Sequence, residues 1–146
     1  MAAPSAWTIY DQLKYKLGTK TLSLSSDSMK MALFTSSSNA GTTALATATY
    51  ATLTNEVSNA NGYATGGASI SPTWSNASGT ETFTASSATW SATSSGITAR
   101  FAVIYDSSTG DLICWCYLDS TPADVSVAAG NQLTVSANAA GVFTLA

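Results

Sequence analysis

Two periodicities divide the chain. Over the first stretch, AWTIYDQLKYKLG, the residues Trp7, Tyr10, Leu13 and Leu17 recur at three- and four-residue spacing, which lays them along one stripe of a helix. Ser5 stands where an N-cap belongs, Pro4 precedes it, and Gly18 is a natural stop. Asp11 in the front half and Lys14, Lys16 and Lys20 toward or past the end suit the helix dipole. The spacing predicts a helix over residues 5–17. Its stripe is expected to pack on the protein's own sheet or on a neighbouring subunit, so Trp7, Tyr10, Leu13 and Leu17 are the candidate interface or packing residues.

From residue 21 onward the pattern turns to alternation. LSLSSDSMKMALFT reads as two short strands around the Ser-Ser-Asp-Ser turn, with Met29, Met31 and Leu33 alternating against Lys30 and Ala32. Residues 35–49 are small and polar without a period. They read as a long loop, with one turn of helix as its most regular structure, and loops of that length in a compact domain usually have a task or are mobile. The turn-rich NANGYATGG follows, then the short strands ASISPTW, ETFTAS and ATWSAT. Pro72 assigns the first of these to a sheet edge or a bulge.

The strongest hairpin signal is TARFAVIYD and DLICWCYLD around the turn SSTG. Phe101, Val103 and Tyr105 face one way, with Arg100, Ala102 and Ile104 the other. Leu112, Cys114, Cys116 and Leu118 oppose Ile113, Trp115 and Tyr117. Both faces are apolar, so this hairpin is expected at the centre, under a second sheet on one face and under the helix or a partner on the other. The tail adds DVSVAA, QLTVSAN and VFTLA, with turns at Gly130-Asn131 and at Gly141. Strands spaced at about 8 to 12 residues indicate a sandwich, jelly roll or barrel. The predicted fold is mainly β: an antiparallel β-sandwich, jelly-roll-like, with one short N-terminal α-helix. A single domain spans 1–146, the helix at 5–17 and the sandwich at 21–146.

Composition sharpens this. The chain has 146 residues, 45% of them hydrophobic and only 9% charged, against a usual charged share of about 25%. Ordinary hydrophobicity argues against disorder. The net charge is −3. All four lysines lie within the first 30 residues and Arg100 is the only later base. No basic stripe exists to neutralise several phosphates, so nucleic acid is not an expected partner. No run is long and apolar enough for a spanning helix, and the N-terminus lacks a secretory signal pattern. Neither a membrane nor a secretory route is expected, and synthesis is assigned to a cytosol.

The inventory of reactive groups is thin. There is no histidine, the commonest general base, no G-x-S-x-G elbow, and no Lys after the glycines of GYATGG. Cys114 and Cys116 point to the same face of a strand, where a disulfide is strained. They read as small buried apolar side chains, and two cysteines without histidine do not make a zinc site. Asp106 with Asp111, and Asp119 with Asp124, are the paired carboxylates to check for hydrolytic or calcium chemistry. Each sits at a strand end, where Asp bonds its own backbone. Glu56 and Glu81 are the only glutamates and nothing in the sequence places them together. Four tryptophans (Trp7, Trp74, Trp90, Trp115) could form a sugar platform or, as aromatics in alternating strands more often do, fill the core. Gly62, Gly66 and Gly67 read as a tight turn or bulge. Arg100 is expected to pair a carboxylate, cap carbonyls or meet a partner. No catalytic residue, cofactor or metal is expected.

The order of segments resembles a known family. After the helix come K-M-A-L-F-T-S-S (Lys30–Ser37), N-E-V-S-x-x-x-G-Y-A-x-G-G (Asn55–Gly67), W-S-A-T-S-S-G-I-T-A-R-F-A-V-I-Y-D (Trp90–Asp106) and G-V-F-T-L (Gly141–Leu145). This is similar to the head decoration, or cement, proteins of tailed bacteriophages, small virion proteins with a jelly-roll-like β-sandwich. The resemblance covers almost the whole chain. It implies a non-enzymatic structural protein, made in the host cytoplasm, that binds the outside of the major capsid protein shell as a homo-oligomer, a dimer or trimer, and stabilises the shell. Such work needs shape, apolar anchors and multivalency rather than catalysis. The alternative is a receptor- or carbohydrate-binding module of a phage tail or tail fibre, suggested by aromatics and hydroxyl-rich loops.

Overall fold

A computed structural model describes residues 4–137 and 141–146. Along the chain run β1 (Thr8–Ile9), α1 (Gln12–Gly18), β2 (Met29–Phe34), β3 (Ala68–Ile70), β4 (Pro72–Ala77), β5 (Thr80–Ala85), β6 (Ala88–Ser91), β7 (Ile97–Ala99), β8 (Phe101–Asp106), β9 (Leu112–Tyr117), β10 (Val125–Val127), β11 (Gln132–Val135) and β12 (Phe143–Leu145). A single turn of 3₁₀ helix at Tyr50–Thr52 lies between β2 and β3. The fold is mainly β, antiparallel and sandwich-like, with one short helix, as the sequence predicts. Asn138, the end of the predicted QLTVSAN segment, lies outside the described residues.

The doubly apolar hairpin β8–β9 sits at the centre of a five-stranded sheet ordered β1-β9-β8-β2-β3. All six residues of β8 are buried. On one face Met29, Met31, Leu33, Ala102, Ile104, Cys114 and Cys116 join a large core with Phe83, Ala88, Trp90, Ile97, Leu133 and Val135 from the facing strands. Those strands form a three-stranded sheet, β12-β5-β4, and the pairs β11-β6 and β10-β7. On the other face Ala32, Phe34, Phe101, Val103, Tyr105, Leu112 and Trp115 build a second core.

The cover of that second face differs from expectation. It is neither the helix nor a partner but the polar loop after β2, which contributes Ala40 and Ala48, with Leu45, Tyr50 and Leu53 packed alongside. Its residues are small because the backbone itself must lie close on the sheet. Leu112 N donates to Ala48 O at 3.0 Å and Tyr50 N to Gly110 O at 2.7 Å. Gln12 of α1 grips the same loop, its Nε2 donating to Ala46 O at 2.7 Å.

Further expectations are corrected. The helix starts at Gln12, not near residue 5. Thr8 and Ile9 pair with Trp115 and Cys114 as an edge strand, because an open sheet edge offers those backbone groups partners that a first helical turn lacks. Ser5 caps no helix; its Oγ accepts from Tyr117 N at 2.9 Å. Leu22 and Leu24 alternate like a strand but occupy a turn region, held buried by the core. In β9 the register shifts opposite Ile104/Tyr105, with Ile104 paired to Cys114 and Tyr105 to Leu112. The extra residue, Ile113, forms a bulge. It therefore joins Cys114 in the large core while Leu112 crosses to Trp115's side.

The kink at Arg100 divides the predicted strand TARFAVIYD into β7 and β8, which belong to different sheets. Arg100 N donates to Phe34 O and its carbonyl accepts from Leu118 N, at 2.8 and 2.9 Å. The predicted strand ASISPTW divides likewise at Ser71, and Pro72 opens β4 at a sheet edge, as its missing N–H requires.

Candidate functional site

The four stripe residues do not form one face. Tyr10 is fully buried in the second core, and its hydroxyl donates to Ala40 O at 2.6 Å. Leu13 is fully buried in the large core, while Trp7 and Leu17 are half-buried against it. A helix beginning at Gln12 cannot align Trp7 and Tyr10 with Leu13 and Leu17, so the segment straddles the sheet edge. Packing accounts for Tyr10 and Leu13. Surface remains only at Trp7, beside an open groove with Pro4, Val142 and Phe143, and at Leu17.

Glu56 is a centre that sequence reading missed. Its carboxylate accepts from the hydroxyls of Tyr50 and of Tyr63, the latter at 2.6 Å, and from Gly66 N at 2.7 Å. The Tyr63 hydroxyl also accepts from Leu33 N at 3.0 Å. Tyr105 donates to Gly66 O at 2.8 Å and stacks on Tyr50 with ring centroids 4.5 Å apart. Burial, followed by the hydrogen bond to Glu56, pushes the phenols of Tyr50 and Tyr63 well above their ordinary value. The signal was present in the spacing of Glu56, Tyr63 and Gly66, but each looked local. Gly62 and Gly67, both at positive φ, have no room for a side chain: a Cβ would strike the carbonyls of Ser91 and Met31 respectively. The glycines are therefore sites of close backbone approach, in line with their turn reading.

The other carboxylates serve structure. Asp106 accepts from Ser108 N at 2.7 Å and Thr109 Oγ1 at 2.8 Å; Asp119 accepts from Thr121 N at 2.9 Å. Asp111 pairs Lys16, and Arg100 pairs Asp124 at 2.8 Å. Among the described residues every buried side-chain nitrogen or oxygen has a hydrogen-bond partner, and no group of three or more acidic, cysteine or histidine residues could hold a metal ion. Cys114 and Cys116 are free and buried; burial pushes the Cys116 thiol up to about 12. Of the tryptophans, Trp90 and Trp115 are buried, while Trp7 and Trp74 stay partly open. No helix among the described residues is long and apolar enough to cross a membrane.

Beside the end of α1, apolar side chains, an indole and a cation meet around a concavity. Leu17 and Lys20 at the end of α1, Leu22 and Leu24 in the following turn, and Trp74 on β4 enclose about 300 Å³. Helix and strand meet there because Trp74 faces the core side of its sheet, 6.4 Å from the Phe143 ring, which in turn lies 5.1 Å from Phe83. Elsewhere the surface is hydroxyl-rich: Thr89 with Thr134, Ser87 with Ser136 and Thr98 with Ser126 bond across strands at 2.9, 3.1 and 2.8 Å. Comparison with known protein families, with curated proteins and with solved structures finds no match.

Proposed function

We propose that the chain is a structural virion protein that decorates and stabilises a tailed-phage head by binding the outside of the major capsid protein shell, as a dimer or trimer. One observation carries the reading. The two most specific blocks of the family resemblance, Asn55–Gly67 and Trp90–Asp106, meet in a single unit, in which Glu56 binds Tyr63 and Gly66, Gly66 accepts from Tyr105, and Gly62 lies against Ser91. Segments this far apart in sequence but locked together in space support a likeness of scaffold rather than of scattered pieces. A neutral, hydroxyl-covered exterior over a rigid antiparallel frame suits close approach to protein, since few charges need be stripped of water.

Cryo-EM of the virion tests this. Density for the chain on the head shell is expected; its absence from particles, or density in the tail alone, overturns the reading. In the latter case the receptor- or carbohydrate-binding alternative gains, and a glycan array with Trp74→Ala as control examines it.

A further inference from the structure

We propose that Asn61–Gly62 is the chain's site of spontaneous deamidation, a modification that the closed turn holds off and that opening of the turn releases.

The sequence supplies one such pair. Of the seven asparagines, at positions 39, 55, 59, 61, 76, 131 and 138, only Asn61 precedes a glycine, and no aspartate does. Glycine has no Cβ to shield its backbone nitrogen. Gly62 is exposed, and among the described residues nothing accepts from its N–H. In the reaction Gly62 N loses its proton to water or hydroxide and attacks Asn61 Cγ. A new N–Cγ bond forms, the bond from Cγ to the side-chain nitrogen breaks, and that nitrogen leaves as ammonia with a proton from solvent. The resulting succinimide takes up one water. Breaking the N–Cγ bond gives aspartate; breaking the bond from N to the main-chain carbonyl gives isoaspartate, with the backbone running through Cβ and Cγ. Water is the only co-reactant.

The turn withholds this chemistry. Tyr63 N donates to Ala60 O at 3.0 Å, and Asn61 and Gly62 have φ of 55° and 91°, which defines a type I′ turn. Such a turn sets ψ of Asn61 at about +30°, and Cβ then lies about 150° from the eclipsed position over Gly62 N that ring closure requires. A type II′ turn, with ψ of about −120°, would align the two, but the positive φ of Gly62 excludes it. To react, the 61–62 peptide plane must rotate. That swings the Asn61 carbonyl off Thr93 N, which donates to it at 2.9 Å. Ser95 N also holds Asn61 Oδ1, at 3.4 Å. Gly62 has no room to shift inward, since a Cβ there would stand 1.9 Å from Ser91 O. Tyr63 anchors the far side through its hydroxyl bonds with Glu56 and Leu33 N. The bonds that build the turn are the bonds that block the reaction.

The product makes an opening permanent. Isoaspartate lengthens the backbone in a turn that has no slack against Ser91, and it adds a charge. A copy that loosens is therefore marked and kept from closing again. This inference does not rest on the decoration reading.

The test incubates the full chain, and a capped peptide of residues 58–63, in mildly alkaline buffer. Peptide mapping by mass spectrometry then separates asparagine, aspartate and isoaspartate. The peptide should react at Asn61, and the folded chain at least about tenfold more slowly. Hydrogen exchange of the Tyr63 and Thr93 amides measures the opening in the unaltered chain, and their protection should match that slowing within about tenfold. Tyr63→Phe and, separately, Glu56→Gln should raise the chain's rate about tenfold, the scale of one buried hydrogen bond. Asn61→Gly, which takes φ 55° without strain, should keep the fold and abolish the product. A chain deamidated while unfolded in guanidinium and then refolded should unfold at lower denaturant than the parent. The proposal is overturned if the folded chain reacts as fast as the peptide, if another asparagine such as Asn59 reacts first, or if slowing falls far short of amide protection. It is equally overturned if both folded variants keep the parent's rate, or if isoaspartate leaves the denaturant midpoint unchanged.

Discussion

The hydroxyl of Tyr63 donates to Glu56 at 2.6 Å and accepts from Leu33 N at 3.0 Å, joining the loop before β3 to the central sheet through one oxygen. Leu33 and Tyr63 are both buried. Tyr63→Phe therefore leaves a buried amide without an acceptor and a carboxylate short of one donor. Losses of this kind cost about 1 to 3 kcal/mol, and equilibrium urea denaturation should show a fall of about 2 kcal/mol. Glu56→Gln should cost about as much, since its amide N–H₂ would face a hydroxyl or the Gly66 N–H. A double variant losing markedly less than the sum is expected, because the two groups share one network.

Gly67 is the least replaceable residue of the turn. Its φ is 72°, and a Cβ there would overlap the Met31 carbonyl and crowd Ala32. Gly67→Ala combines left-handed strain with a backbone clash in the middle of β2. The expected loss is about 3 kcal/mol or more. Gly79 has a similar φ of 84° but nothing within 4 Å of an added Cβ, so Gly79→Ala should cost only the strain, about 1 kcal/mol. Thermal unfolding of the pair separates the close-approach role from the purely conformational one.

The central hairpin was legible because both of its arms are apolar throughout and Gly110 closes a turn of small polar residues. The edge position of β4 was legible from Pro72. What failed did so for physical reasons. Trp7, Tyr10, Leu13 and Leu17 fit a helical period, but Thr8 and Ile9 find hydrogen bonds on β9, and tertiary pairing outweighs a short helix's weak first turn. The bulge at Ile113 reverses alternation by one residue, and nothing in LICWCYL marks it. The loop after β2 covers a core with Ala40 and Ala48, whose side chains are too small to leave a periodic trace. Glu56, Tyr63 and Gly66 lie within one short stretch, but the links of that stretch to Leu33 and Tyr105, and the approach of Trp74 to Leu17, join residues remote in sequence, which no local pattern reports.

Stability should be flat through neutral pH and decline in alkali. Burial raises the thiols of Cys114 and Cys116, the latter to about 12 from an ordinary 9.0, and raises the phenols of Tyr10 and Tyr63 above their ordinary 10.0. Each group binds its proton more tightly folded than unfolded. The stabilisation is therefore complete below the unfolded values and is lost as pH rises from 9.0 through the folded value of about 12 for Cys116. Denaturant midpoints measured from about pH 7 to 11 should hold level and then fall beyond about 9. A level profile throughout would show that these protons are not held by the fold. Replacing Cys114 and Cys116 together by Ala should shift the onset of the fall toward the phenol range.

The N-terminal stripe makes the sharpest separation between packing and surface. Tyr10 and Leu13 are each 0% exposed, in different cores. Tyr10→Asp with Leu13→Asp would bury a carboxylate on both faces of the sheet, and each uncompensated charge in such a place costs several kcal/mol. The double variant is expected to be unfolded by circular dichroism. Tyr10→Phe, which loses only the bond to Ala40 O, should cost about 1 kcal/mol. Leu17→Asp places its charge at the open hollow beside Lys20, where water and a cation receive it. That variant should keep the fold with a loss of no more than about 2 kcal/mol of apolar burial. If Leu17→Asp unfolded the chain as readily as the buried pair, Leu17 would belong to the core and the hollow would not be a free surface.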